Sequence, residues 1–213
     1  MPIYPDLNLV YVHIPKTAGG AIEELLEPWK APGPKTLFGR LRSRLPFRQD
    51  IRHAYIPGHA TAAELQHWMG AEAWARARSF AVVRDPYARI ISEYEYVRQT
   101  PTHHRHERAK KMDFADYIAG RKLDQASFLT DARGKLLVNR ILHFENLHGD
   151  LNALLAECGL NVALPERGSR NSSRKAPQST YLTPRAIRLI NDGAAADFDL
   201  LGYARLDADA KAA

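Results

Sequence analysis

Cysteine is almost missing from this 213-residue chain, and Cys158 is the single one. One thiol excludes an intrachain disulfide and any cysteine-rich zinc site. Long apolar runs are missing too. None approaches the roughly 20 residues that a bilayer-spanning helix needs. The opening MPIYPDLNLVYVHI has no basic stretch ahead of its apolar residues, so it predicts a buried strand rather than a signal peptide. By expectation the chain belongs to a reducing, cytoplasmic setting, without a transmembrane segment. It has no internal repeat and no low-complexity tract.

What is present suits a globular protein. Hydrophobic residues make up 45% and charged residues 25%, outside the range of disordered chains. A chain of this length buries roughly 70% of its unfolded surface without a disulfide or metal staple. Residues 1–203 read as one domain, with an irregular basic insertion over 29–52 and a disordered tail over 204–213. Lys and Arg total 30 against 24 Asp and Glu, a net charge of +6. That excess favours an anionic partner (nucleic acid, a phosphorylated cofactor or a polyanion) or is simply a basic surface.

Strands and helices alternate along the chain. Leu7 to Ile14 and Ser79 to Val83 predict buried strands, Ile141 to Phe144 a further one, and Ala54 to Pro57 a short one. The segment AIEELLE predicts a helix ending by Pro28. Thr61 and Glu64 predict a capping box for a helix through Met69. Asp85-Pro86 supplies an acidic N-cap and a first-position proline for a helix to about Gln99. Residues 100–111 predict a polar basic loop, and Met112 to Ala119 a short helix. Asn146 to Cys158 predicts a helix closed by Gly159. Residues 164–180 predict a second basic loop, and Thr183-Pro184 the start of one last helix ending near Gly202-Tyr203. This alternation implies an α/β fold with a mostly parallel sheet, whose ligands sit at the carboxyl ends of strands.

Two segments on that rim carry chemistry. HIPKTAGG leaves a predicted strand and enters a helix. A helix start offers unpaired N–H groups to an anion. Gly19 and Gly20 permit close backbone approach, Lys16 adds a charge and Thr17 a hydroxyl. The residues alone fit either an oxyanion cradle or a tight turn with its lysine in water. They lack the Gly-x-x-x-x-Gly-Lys-Ser/Thr spacing of nucleotide triphosphatases. In VVRDPYARIISEY, Arg84 ends a strand beside a helix start, which suits either a phosphate or an ion pair.

Together, about 70 residues apart, the two segments resemble the family-2 carbohydrate sulfotransferases, the group that includes heparan sulfate 2-O-sulfotransferase. HIPKTAGG is similar to that family's 5′-phosphosulfate-binding loop, and VVRDPYARIISEY to its 3′-phosphate segment. The stretch FLTDARGKLLVNRILHFENLHGDLNALLAECGL resembles bacterial members, as does the Asn171-x-Ser173 loop. The resemblance implies a P-loop-like, three-layer α/β domain with a mostly parallel central sheet flanked by helices. It implies a donor, 3′-phosphoadenosine 5′-phosphosulfate (PAPS), bound without a metal. Lys16 matches the lysine on the 5′-phosphate, and Thr17, Ala18, Gly19, Gly20 and Ala21 match the amide loop. Arg84 and Ser92 match the 3′-phosphate ligands, and Asn171 and Ser173 the loop that closes over the nucleotide. Ala21 departs from the Thr or Ser common at its position.

Gly58-His59-Ala60 resembles the site of the catalytic-base histidine in heparan-type members, although Pro57 stands where these carry another histidine. His59 is otherwise a histidine on the predicted rim, with a side chain suited to taking a proton from a sugar hydroxyl. The implied reaction is sulfuryl transfer to a carbohydrate or glycoconjugate hydroxyl, with His59 and Lys16 catalytic. Two other readings stay open, a small ATP-dependent kinase and a non-catalytic polyanion- or RNA-binding module. No RNA-binding signature supports a nucleic-acid partner. His103, His104 and His106 match no zinc spacing. Trp29, Trp68 and Trp74 predict packing, and Glu145 a structural role.

Overall fold

The computed structural model describes residues 3–31, 56–165 and 176–210. Most of the predicted insertion over 29–52, the residues Ala54 and Tyr55, and the Asn171 and Ser173 loop positions lie outside these. By its internal contacts the chain divides into two compact units, residues 1–83 with 127–168, and residues 84–126 with 169–213.

The first unit is built on one sheet. Strand β1 (Ile3–Tyr4) and strand β2 (Leu9–Val12) lead to helix α1 (Gly19–Leu25). Helix α2 (Ala62–Met69) and helix α3 (Ala71–Arg76) precede strand β3 (Arg78–Val83). The sheet order is β1-β2-β3-β4, where β4 comes late in the chain at Arg140–His143. β1 runs antiparallel to β2, while the β2–β3 and β3–β4 pairs are parallel. This is the mixed α/β architecture, mostly parallel, that the alternation implies.

The apolar runs explain it. All four residues of β2 are buried, as are Ser79 to Val83 of β3. A strand buried on both faces needs no polar alternation. Leu9, Tyr11, Phe80, Val82 and Leu142 share a core with Ile22 of α1 and with Leu147, Leu151 and Leu155 of a late amphipathic helix. Asn139 ties the ladder: its side-chain oxygen accepts from both the amide and the hydroxyl of Ser79, each at 2.8 Å. Thr61 and Glu64 form the predicted capping box. Residues 56–60 form no strand, so His59 stands on a turn instead.

The second unit is helical. Its first element is α4 (Pro86–Gln99), whose N-cap Asp85 accepts from the Ala88 amide at 2.8 Å. The predicted basic loop contains a helix, α5 (His106–Lys111), because Ala109 is fully buried and His106 is fixed to the Val97 carbonyl at 3.1 Å. After it come α6 (Phe114–Ile118) and α7 (Ala126–Leu129), the latter leading back into the first unit and to α8 (Leu147–Glu157), the late amphipathic helix. Gly159 follows α8 at φ +75°, a left-handed position that suits glycine.

The single last helix of the sequence reading is two, α9 (Pro184–Gly193) and α10 (Ala195–Leu201), hinged at Ala194. The tail differs as well. The Leu206 amide donates to the Tyr87 hydroxyl at 2.8 Å, its carbonyl accepts from Asn191 at 3.0 Å, and Ala208 is buried. Residues 204–210 are therefore tied to α4 and α9, and only 211–213 lie outside the description. Extended backbone stays ordered when side chains supply its hydrogen bonds.

Candidate active site

Among the described residues, the loop between β2 and α1 holds two of the three left-handed non-glycine positions. Lys16 and Ala18 both take left-handed conformations, at φ 71° and 69°. Such conformations cost a non-glycine residue about 1–2 kcal/mol each, and strain of this kind clusters where ligands bind. The Pro15–Lys16 turn brings the Thr17 amide back toward the Ile14 carbonyl, while the amides of Ala18, Gly19 and Gly20 have no backbone acceptor among the described residues and those of Ala21 and Ile22 both donate to the Ala18 carbonyl, at 3.0 and 3.2 Å. Consecutive unpaired donors beside alternating left-handed residues are the backbone pattern from which anion-binding nests are built.

The structure divides roles that the sequence merged. The Thr17 side chain is fully buried and its hydroxyl donates to the Ile14 carbonyl at 2.9 Å. It closes the loop rather than offering its proton outward. The Ala21 amide is spent on the first turn of α1, so the donor set is residues 18 to 20. Gly20 is exposed, and a Cβ there would meet nothing within 4 Å. Gly19 is buried, and a Cβ there would overlap the His13 imidazole. Gly19 therefore makes room for a side chain, and Gly20 gives open access.

His13 is the residue the sequence reading passed over. It follows β2 directly. Its Nδ1 lies 3.0 Å from Glu23 Oε1 on α1. That bond holds the Glu23 carboxyl below its usual range against the effect of burial. An ionised carboxylate only accepts, so Nδ1 carries the proton. The His13 ring stacks on Tyr11 at 5.4 Å between centroids and meets His59 edge-on at 4.5 Å. His59 Nδ1 lies 3.2 Å from the His13 main-chain oxygen. A carbonyl only accepts, so His59 also carries its proton on Nδ1, leaving Nε2 with a lone pair. Partial burial pushes the His59 pKa below the ordinary histidine value, and the His13 carbonyl only partly opposes this. A neutral imidazole with an exposed edge can accept a proton at neutral pH.

The structure thus brings Lys16, the amide loop and His59 together in the first unit, His59 being fixed to the residue three before Lys16. A signal for His13 was present: a polar ring closing the apolar run LVYV. Glu23 lies one turn past Gly19 on the same helix.

In the second unit, Arg84 follows the last residue of β3 and precedes the N-cap of α4. Ser92 is buried on that helix. The main chain of Arg84 is clamped by Gln125: the side-chain oxygen accepts the Arg84 amide at 3.0 Å, and the side-chain nitrogen donates to the Arg84 carbonyl at 2.8 Å. Gln125 is fully buried and held in turn by Asp197, which accepts from its amide at 2.7 Å and from its side chain at 3.1 Å. Burial pushes the Asp197 pKa up, while the Ala126 and Gln125 donors pull it back. No local pattern marks this clamp, because Gln125 and Asp197 stand 72 residues apart. Arg89 and Arg121 flank half-buried Glu93.

His103 and His104 stack at 4.5 Å. Among the described residues no group of His, Cys, Asp and Glu could hold a metal. No described helix is long and apolar enough to cross a membrane. Trp74 is buried and donates to the Leu137 carbonyl at 3.2 Å, a packing role.

A sequence model of the sulfotransferase family matches residues 2–204, nearly the whole chain, and the chain belongs to that family. No curated protein and no solved structure matches it.

Proposed function

We propose that this member of the sulfotransferase family transfers a sulfuryl group from PAPS to a hydroxyl of a carbohydrate or glycoconjugate. The observation that carries the reading is the run of three amides, Ala18 to Gly20, without backbone acceptors among the described residues, in a loop that holds left-handed Lys16 and Ala18. Its donors, its strain and the adjacent lysine fit a phosphosulfate. The donor, when bound, supplies an activated sulfuryl group on a phosphate leaving group.

The chain's own residues then divide the work. Lys16 and the loop amides stabilise negative charge on the leaving phosphate. His59 takes the acceptor proton on Nε2. Arg84 and Ser92, from their match to the family's 3′-phosphate segment, select the donor over ATP, with a guanidinium suited to phosphate. Asn171 and Ser173 complete the nucleotide contacts, and the fold is of the P-loop-like class. Charge stabilisation falls to Lys16 and the amides, as in phosphoryl transfer, where positioning and electrostatics dominate.

The test is turnover with PAPS over a panel of glycan acceptors. Lys16→Ala should lower kcat with little change in the donor KM, and Arg84→Ala should chiefly raise that KM. Equal changes of both parameters in both variants would refute the division of roles.

A further inference from the structure

Beyond the residues that would touch donor or acceptor, the site holds a pair with no assigned task, His13 and Glu23. Their geometry is tightly specified. The His13 ring is bound by Glu23 at 3.0 Å, stacked on Tyr11 with an interplanar angle of 15°, and seated where any side chain at residue 19 would collide. These contacts hold the ring in one orientation, and its own main chain is the hydrogen-bond partner of His59.

We propose that the His13–Glu23 pair is a positioning device: it fixes the His13 main chain so that its carbonyl holds the proton on His59 Nδ1 and leaves Nε2 to act as the base. The inference rests on reading His59 as the proton acceptor, and goes beyond it by naming what selects the reactive nitrogen. In a free histidine side chain the Nε2–H tautomer predominates, which would put the lone pair on the wrong nitrogen. The nitrogen that carries the proton is set by the bond the other atom makes. A base oriented by a further group is the usual arrangement in proton-transfer sites. Here the orienting atom is a backbone oxygen, and the side chain of the same residue keeps it in place through Glu23.

The test is a long-range proton–nitrogen correlation spectrum of the full chain labelled with ¹⁵N-histidine. In the native protein His59 should show one neutral tautomer, with the proton on Nδ1. Glu23→Ala should give a mixture shifted toward Nε2–H, and Glu23→Gln, which keeps an acceptor oxygen, should restore much of the native tautomer. In turnover, Glu23→Ala should lower kcat by about 10-fold, less than the roughly 10²–10⁴-fold of losing a general base, with the donor KM unchanged. A native His59 that is mostly Nε2–H, or a tautomer unmoved by Glu23→Ala, overturns the proposal while leaving the sulfuryl-transfer reading intact. Full activity of His59→Ala overturns the reading of His59 as the base, and the proposal with it.

Discussion

Gly19→Ala is a substitution whose sign depends on a neighbour. Gly19 opens α1 with no left-handed φ among its backbone features, so alanine meets no backbone strain. Replacing glycine by alanine within a helix ordinarily stabilises by roughly 0.5–1 kcal/mol. The new Cβ, however, overlaps the His13 ring. The ring must swing away, which breaks its bond to Glu23 and its contacts with Tyr11 and His59. A hydrogen bond to a charged group contributes about 1.5–3 kcal/mol. This pair stands at the lower end, because its side chains keep 13% and 26% exposure. Lost ring contacts add about 0.5–1 kcal/mol. The net effect is a destabilisation of roughly 1–2 kcal/mol. In a His13→Ala background nothing obstructs the Cβ, and the same change should stabilise by about 0.5–1 kcal/mol. Urea unfolding of the four proteins in the cycle measures both values. A gain in the native background, or an equal loss in both, would refute the seating of His13 on Gly19.

Gln125→Leu removes two hydrogen bonds to the Arg84 main chain and one to Asp197, so it should destabilise by about 2–4 kcal/mol, read as a lower urea midpoint. For pH, His59 must be neutral to accept a proton and its pKa lies below the ordinary histidine value. So kcat/KM should be on a plateau at neutral pH and fall as the pH drops through a value under 6.5; a fall centred above 7 would contradict the account.

Much of the fold was legible because local chemistry decides it. The β2 and β3 runs, the Thr61–Glu64 box and the Asp85-Pro86 start each carry their own signal, and all stand where the sequence puts them. Failures came where tertiary contacts overrule local polarity. HERAKK reads as loop, yet one buried alanine and a histidine fixed to Val97 make it a helix. LDADA reads as a free tail, yet Tyr87 and Asn191 satisfy its backbone. The candidate site divides in the same way. HIPKTAGG marks the loop between β2 and α1, but Thr17 turning inward and Gly19 serving His13 are packing facts that no motif encodes. The Gln125–Asp197 clamp joins distant segments and has no sequence signature.

The central claim, a loop made for a phosphosulfate donor, is tested most directly by thermal unfolding with 3′-phosphoadenosine 5′-phosphate, using ATP with Mg²⁺ as the comparator. A ligand at 100 times its Kd stabilises by about 2.7 kcal/mol, which for a chain of this size raises Tm by roughly 5–11 °C. The account predicts that rise with the bisphosphate, its loss in Arg84→Ala, and no comparable rise with ATP. A rise with ATP alone, or none with either nucleotide, would contradict it.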